Sequence, residues 1–356
     1  MRRIVLAGLL VLGACPALAQ QTVNVYNFAE FIALDRLKVF EQQTGIKVNY
    51  STYDADEILD AKLKSERPLY DVVIPSATPF FVRQLLAGLF QPIDKSRLRN
   101  WRNVDPEIVA QLEKYDPGNR HAVPWMWGTT GLGYNVEEIN RRLPGAPADS
   151  LAMLFDPAIV SRFKDCGVRI LDSPTDVFPA ALKYLGLDPD SKKPEDLDKA
   201  AEAIKAIRRH VTLDSVDYHT ALANGEACLV LGYSGDILQM RRQMAGKRDL
   251  RYVIPREGAL AYMTVAAIPK EAPNPEAGLR FLDYLMDPEM AAASSQVTRY
   301  ANAIPASTAL LPKSISENPL IYPPPEVRAR LYTISAGTAQ QMRALTLSWI
   351  EIKRSE

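Results

Sequence analysis

The sequence contains little histidine and little cysteine, with three of each among 356 residues. The histidines (His121, His210 and His219) show no metal-ligand spacing with each other or with the cysteines, so a metal site is not expected. A phosphate-binding loop, a dinucleotide-binding fingerprint and a two-histidine metalloprotease motif are also missing. Gly232-Tyr233-Ser234-Gly235 is one residue short of a hydrolase nucleophile elbow. The sequence therefore predicts no cofactor and no catalytic activity.

The sequence also lacks an excess of charge of one sign, since 42 basic side chains stand against 42 acidic ones. A near-neutral chain without a basic block argues against nucleic acid or an anionic membrane surface as the main partner. Beyond the N-terminus, no apolar run approaches the roughly 18 residues that indicate a membrane-spanning helix. The length and the ordinary globular composition, 47% hydrophobic and 24% charged, predict two domains, each with its own core.

Residues 1–19 have the pattern of a secretory signal peptide. Two arginines precede an apolar run at residues 4–14, and Ala17-Leu18-Ala19 fits a small-x-small cleavage site. We therefore expect export, with 40 basic and 42 acidic side chains left after cleavage, a net charge of −2. A loose match to a lipoprotein cleavage box ends at Cys15. A lipid anchor on that cysteine is the alternative.

Cleavage after Ala19 would leave two cysteines, Cys166 and Cys228. An even pair of cysteines in an exported chain predicts a disulfide, which here would close a loop of about 60 residues. Two buried free thiols remain the alternative on these grounds alone.

Strand-like and helix-like patterns alternate along the chain, which predicts an α/β fold with parallel sheets. Ligands bind such sheets beyond the carboxyl ends of the strands, which here are residues 27–31 and 75–77. A glycine-rich strand at 124–135 leads from the first α/β region into a second one. Predicted strands are 23–26, 46–50, 70–74, 168–172, 228–232, 252–255 and 262–268. Predicted helices are 35–43, 56–64 (with Ile58, Leu59 and Leu63 inward), 80–86, 178–185 and 197–209.

Aromatic residues and carboxylates occur together in several predicted turns. One loop carries Phe28, Glu30 and Phe31, and another carries Tyr233 and Asp236. Aromatic faces beside carboxylates suit an organic cation, because the rings attract the charge and the carboxylate binds the ammonium. Each residue also has a structural alternative, as a core aromatic, a helix cap or a solvated acid. Further candidates of the same kind are Asp176, at a predicted helix start, Tyr262 and Tyr300.

Five long motifs carry a resemblance to a known family: residues 40–48, 71–77, 127–135, 232–236 and 300–303. With them, nearly the whole mature chain resembles the periplasmic putrescine- and spermidine-binding proteins of bacterial ABC importers. The resemblance implies a type II-like periplasmic-binding-protein fold of two lobes, each a mainly parallel sheet flanked by helices, with the ligand in the interlobe cleft. We expect the first lobe at 20–130 plus 258–299, and the second at 131–257 plus 300–356. The putrescine-binding branch of the family has a cysteine pair at Cys166 and Cys228, which supports the disulfide.

The resemblance also implies roles for individual residues. Phe28 and Phe31 stand where the family has a tryptophan and a tyrosine packing on the polyamine, with Glu30 between them adding charge at the rim. Asp236 keeps a family aspartate, and Asp176 replaces a glutamate that pairs with an ammonium. The remaining matches are Ser76, Tyr233 in place of a stacking tryptophan, and Tyr262 and Tyr300 as aromatic walls.

Thr264 is the main departure from the family pattern, because it takes the place of an aspartate that anchors an ammonium. A buried ammonium without its carboxylate loses several kcal/mol, or at least two orders of magnitude in affinity. Three ligand classes therefore stay open: a polyamine with altered anchoring, a molecule with a single cationic end, and a bulkier or methylated amine. Delivery to an inner-membrane ABC permease by a monomer is expected, and ligand sensing is the alternative.

Overall fold

The structure is a computed structural model that describes residues 20–64 and 69–355. The predicted signal peptide and Cys15 lie outside the described residues. Eleven strands are present in the described chain: β1 (Thr22–Phe28), β2 (Lys47–Tyr53), β3 (Val72–Val73), β4 (Ala122–Asn135), β5 (Val168–Ile170), β6 (Thr212–Leu213), β7 (Leu229–Tyr233), β8 (Leu250–Val253), β9 (Ala259–Ala267), β10 (Ala301–Asn302) and β11 (Leu331–Tyr332).

The α-helices of the described residues pack around these strands. In chain order they are α1 (Leu34–Thr44), α2 (Asp56–Leu63), α3 (Val82–Leu86), α4 (Pro106–Leu112), α5 (Val136–Arg142), α6 (Ala152–Phe155), α7 (Pro157–Val160), α8 (Pro174–Tyr184), α9 (Pro194–Ile207), α10 (Tyr218–Asn224), α11 (Ser234–Gln243), α12 (Pro275–Leu285), α13 (Pro288–Thr298), α14 (Lys313–Ser316), α15 (Pro325–Arg328) and α16 (Ala339–Arg354). The structure thus has the mixed α/β composition that the alternating pattern predicts.

The strands join in the order β2-β1-β3-β9-β4-β7-β5-β6, with β8 and β10 on β4 and β11 on β9. Pairing is parallel on both flanks, where β1 lies between β2 and β3, and β5 between β6 and β7. It is antiparallel at the centre, where β9 pairs with β3 and β4, and β4 pairs with β7. The alternating pattern constrains only strands joined by a crossover helix. Strand β9 is far from β4 in sequence, so the alternating pattern does not predict the direction in which it pairs.

Strand β4 links the two parallel flanks. Its first half, from Ala122 to Thr130, pairs with β9, and its second half, from Thr130 to Tyr134, pairs with β7. Fourteen residues at about 3.3 Å each make β4 roughly 45 Å long, enough to pass through both α/β regions. The glycine-rich motif of the sequence is therefore the structural bridge between them.

Burial explains why the flanking elements form where they do. On α1, Leu37 and Phe40 are buried three residues apart on one face, and Gly45 ends the helix in a left-handed conformation with φ 70°. Both residues of β3 are fully buried, as expected for a strand covered on two faces. On α2, Leu59 is buried as predicted, but Ile58 was wrongly expected inward and is 44% exposed. Leu59 and not Ile58 therefore sets the inward face of this short helix.

The disulfide between Cys166 and Cys228 is present, with the two Cα atoms 5.5 Å apart. It joins the turn before β5 to the residue preceding β7, and those two strands pair in parallel. The bond therefore closes a loop of 62 residues across one flank of the sheet. The alternative of two free thiols is excluded by this geometry.

Candidate ligand-binding site

A cavity of about 520 Å³ lies where the strand ends of the two flanks meet. This volume falls within the range of about 300–1,000 Å³ that is typical of small-molecule pockets. Its lining comes from the segments after β1, β2 and β3 on one side, the segments after β5, β6 and β7 on the other, the central strand β9 and the residue before β10. Nine of the predicted site residues line it: Phe28, Phe31, Ser76, Asp176, Tyr233, Asp236, Tyr262, Thr264 and Tyr300.

Glu30 is the predicted site residue that does not line the cavity. It is exposed on the turn after β1, where its backbone has a positive φ of 53°. Non-glycine residues seldom adopt this conformation, and it turns the chain between Phe28 and Phe31. A contribution of Glu30 to the charge at the rim remains a prediction.

Three carboxylates of the cavity share one structural position, the first turn of a helix that follows a strand. Asp56 begins α2 after β2, Asp176 lies in the first turn of α8 after β5, and Asp236 lies in the first turn of α11 after β7. A helix N-terminus carries a partial positive charge that stabilises a nearby carboxylate by about 0.3–1 kcal/mol. The fold thereby gathers three acidic groups at one edge of the sheet.

Asp176 is 7% exposed and is held by three hydroxyl groups. Thr130 donates to Oδ1 at 2.9 Å, while Ser173 and Tyr233 donate to Oδ2 at 2.7 and 3.2 Å. Burial raises the pKa of this carboxyl, and the three hydrogen bonds oppose that rise. Asp176 is therefore a fixed acidic group, oriented by residues from β4, β7 and its own helix.

Asp236 is held by two tyrosines. Tyr300 donates to Oδ1 at 2.7 Å and Tyr218 donates to Oδ2 at 2.6 Å. Burial raises the pKa of both phenols well above the ordinary value, so both remain protonated donors at neutral pH. The carboxylate is thereby fixed between α10 and the segment that precedes β10.

Asp56 is a site residue that sequence reasoning missed. It is 8% exposed, lines the cavity and accepts a hydrogen bond from the backbone N–H of Ser76 at 3.1 Å. Burial raises the pKa of its carboxyl to about 7, against the opposing hydrogen bonds from Ser76. The available signal was its position, since Asp56, like Asp176 and Asp236, is acidic and begins a helix after a parallel strand.

The predicted aromatic residues form a continuous wall of rings. Phe28 contacts Phe31 with centroids 5.8 Å apart, and Phe31 contacts Tyr300 at 4.9 Å. Tyr262 then contacts Tyr300 at 6.1 Å and Tyr233 at 5.0 Å. Most of these pairs meet edge to face, which keeps ring faces available to a ligand.

Two glycines make room for this wall. A Cβ on Gly235 would lie 2.3 Å from the Tyr300 ring, and a Cβ on Gly128 would lie 2.8 Å from it. Both distances are shorter than side-chain contacts allow. The motifs Trp127-Gly128 and Gly235-Asp236 therefore contain glycine because Tyr300 packs directly on the backbone.

The charge of the cavity is strongly negative. No lysine or arginine is present among its described lining residues. Seven carboxylates line it: Asp54, Asp56, Glu57, Asp172, Asp176, Asp214 and Asp236. Asp172 pairs with Lys353 and Asp214 pairs with Arg169. The other five have no described lysine or arginine within 4 Å. Such a site attracts cations and repels anions.

Thr264 lies in the cavity wall with its hydroxyl already bonded. Its Oγ1 donates to the carbonyl of Met126 at 3.1 Å and accepts from the N–H of the same residue at 3.3 Å. The side chain is 2% exposed. Thr264 therefore supports β4 at the centre of the sheet and brings no charge to the cavity.

Fold and site together define a binding protein, an α/β structure with an acidic, aromatic-lined cavity at the strand ends. Residues 35–323 match the family of bacterial extracellular solute-binding proteins, and the chain belongs to this family. It is 43% identical over 348 residues to the putrescine-binding periplasmic protein SpuD of Pseudomonas aeruginosa, covering 96% of this chain and 95% of that one. It is 40% identical over 343 residues to the putrescine-binding periplasmic protein PotF of Escherichia coli, covering 95% and 92%.

A solved structure shows the same fold at lower sequence identity. The spermidine/putrescine ABC transporter substrate-binding protein PotD of Streptococcus pneumoniae superposes with a TM-score of 0.78 at 24% identity, covering 94% of this chain and 98% of that one. The resemblance to periplasmic polyamine-binding proteins is thereby confirmed. The family consists of solute-binding proteins and not of enzymes, and the comparisons do not favour the sensing alternative.

Two further observations concern the described residues. Among residues 20–64 and 69–355, no helix has the length and apolarity to cross a membrane. The same part of the chain contains no group of three or more metal-ligating side chains arranged to hold an ion.

Proposed function

We propose that this protein binds a di- or polyamine in the cavity and delivers it to an ABC permease of the inner membrane. The observation that carries the proposal is the charge of the lining, seven carboxylates with no lysine or arginine among the described lining residues. The aromatic wall from Phe28 to Tyr233 adds ring faces that attract an ammonium and cover methylene groups. The family relatives named for putrescine support the same ligand class.

The electrostatics favour a ligand with cationic ends over one with an anionic end. A ligand carboxylate would meet Asp56, Asp176 or Asp236, each in or near a buried environment where like charges repel strongly. The carboxylate of an ω-amino acid would therefore cancel part of the binding free energy that its ammonium group contributes. A bulkier methylated amine would give up hydrogen bonds to the same carboxylates.

In this proposal the cavity is the cleft between two lobes, at 20–130 plus 258–299 and at 131–257 plus 300–356. Two core clusters support this division because each lies within one lobe: one contains Phe81 with Val265, and another contains Phe163 with Phe178. Binding stabilises the closed arrangement because the cation contacts carboxylates of both lobes at once. The protein acts in the periplasm, as a monomer, after removal of residues 1–19.

Calorimetric titration of refolded, ligand-free protein tests the proposal. Putrescine, spermidine, agmatine and 4-aminobutyrate serve as ligands, and the last is the matched control because it replaces one ammonium of putrescine by a carboxylate. We expect at least one of the first three to bind at least tenfold more tightly than 4-aminobutyrate. Equal or tighter binding of 4-aminobutyrate would exclude a diamine-selective cavity. Loss of polyamine uptake in a strain lacking the protein tests the transport role.

A further inference from the structure

Thr264 leaves one part of the cavity without a charged group where the family resemblance expects a carboxylate. Its hydroxyl is fully engaged with the backbone of Met126, as donor and as acceptor. The Thr264 side chain therefore offers an ammonium group no negatively charged hydrogen-bond acceptor. A cation held here needs a carboxylate from another residue.

Asp56 lies close to this position through one intermediate residue. Ser76 and Thr264 face each other as an antiparallel bridge, a pairing in which the Cα atoms lie about 4.5–5.5 Å apart. The N–H of Ser76 in turn donates to Oδ1 of Asp56. Asp56 and Thr264 are thus both joined to Ser76, and all three residues line the cavity.

The negative charge of Asp56 is less compensated by its surroundings than the charges of Asp176 and Asp236 are. Asp176 accepts from three hydroxyl groups and Asp236 from two phenols, whereas Ser76 is the one donor to Asp56 among the residues that the structure describes. No described lysine or arginine lies within 4 Å of Asp56.

We propose that Asp56 binds an ammonium group of the amine ligand, in place of the carboxylate that Thr264 lacks. The inference rests on the proposed function and identifies how a diamine remains bound despite the substitution. Asp56 acts as a specificity residue, because its carboxylate selects a second cationic end over a neutral or anionic one. The neighbouring Asp176 lies close enough to raise the pKa of Asp56, so the two carboxylates share one electrostatic environment.

A charge relocation tests the proposal in the full-length mature protein. Putrescine is titrated into the wild type, Asp56→Asn, and the double variant Asp56→Asn/Thr264→Asp. Asp35→Asn is the matched control, because Asp35 also lies in the first turn of a helix that follows a strand, but it is exposed and does not line the cavity. We expect Asp56→Asn to weaken putrescine binding about 100-fold, as removal of one partner of a buried charge pair does. The double variant should recover at least tenfold, and the control should change by less than threefold.

The outcomes separate the inference from the proposed function. If the wild type binds putrescine and Asp56→Asn binds it within threefold, Asp56 is not an anchor although the protein binds amines. If Asp56→Asn loses binding and the double variant recovers none of it, Asp56 only supports the loop through Ser76. If the wild type binds no amine, the proposed function itself fails.

Proton release gives a second readout that a supporting role would not change. Titrations at pH 7 in buffers of different ionisation enthalpy count the protons released on binding. We expect release of a fraction of a proton by the wild type and by Asp35→Asn, and a clearly smaller release by Asp56→Asn. The same release from Asp56→Asn as from the wild type would contradict the inference.

Discussion

Replacing Asp56 by asparagine should stabilise the ligand-free protein although it weakens binding. The carboxyl of Asp56 is 8% exposed, and burial raises its pKa from 3.8 to about 7. At pH 8 the folded protein holds this group ionised in a site that disfavours its charge. Asparagine keeps an oxygen that can accept from the N–H of Ser76, and it carries no charge.

The magnitude follows from the difference between the pKa values in the folded and unfolded states. A rise from 3.8 to about 7 corresponds to roughly 4 kcal/mol at pH values above both. Between pH 4 and pH 7 the folded state binds more protons than the unfolded state, so the contribution of this carboxyl to stability is complete below pH 4 and is lost as the pH rises to 7. The advantage of Asp56→Asn should therefore be about 4 kcal/mol at pH 8, falling to about 2 kcal/mol at pH 5.

Urea denaturation of ligand-free protein, followed by circular dichroism at pH 5 and pH 8, measures both values. The control Asp54→Asn removes a carboxylate from the same loop at an exposed position, and its free energy of unfolding should stay within about 0.5 kcal/mol of the wild type. A destabilised Asp56→Asn at pH 8 would refute the reasoning, because it would show that the carboxylate supports the fold. An advantage that does not change with pH would show that Asp56 is not the titrating group.

Three further predictions address affinity, stability and packing. Putrescine affinity of the wild type should fall about tenfold from pH 8 to pH 6, since Asp56 must be ionised to bind an ammonium, and calorimetry on Asp56→Asn should show a much flatter profile. Replacing Cys166 and Cys228 by serine should lower the free energy of unfolding by about 4 kcal/mol, the loop-closure value for 62 residues, with the reduced wild type as the control. Gly235→Ala should displace Tyr300 from Asp236 and weaken putrescine binding at least tenfold, because its Cβ would lie 2.3 Å from the ring; unchanged affinity would mean that the Tyr300 contact is dispensable.

Much of the fold was predictable because local patterns encode it. Leu37, Phe40 and Gly45 mark a helix with an inward face and a left-handed end, and the structure has that helix at Leu34–Thr44. The apolar segment around Val72 and Val73 is a fully buried strand. The antiparallel pairing of β9 at the centre was not predicted, because no local pattern specifies the direction in which a distant strand returns.

The site was partly predictable for a related reason. Phe28, Tyr233 and Asp236 were found because aromatic and acidic residues share short turns at strand ends, and all three line the cavity. Asp56 was missed although Tyr53 precedes it at the same spacing as Tyr233 and Asp236, because an acid in the first turn of a helix is common and its burial is not visible in the sequence. Ser76, whose N–H donates to the Asp56 carboxylate, is 20 residues away in sequence.

The sequence by itself determined which residues can form strands and helices, which chemistry they carry, and the two cysteines available for a disulfide. Those properties depend on side-chain type and on spacing along the chain, and both can be read locally. Only the tertiary structure decided which acidic residues face one cavity, and which of them have no described lysine or arginine within 4 Å. It decided this because burial and electrostatic compensation arise between residues brought together from distant parts of the chain, as Asp56, Thr264 and Tyr300 are here.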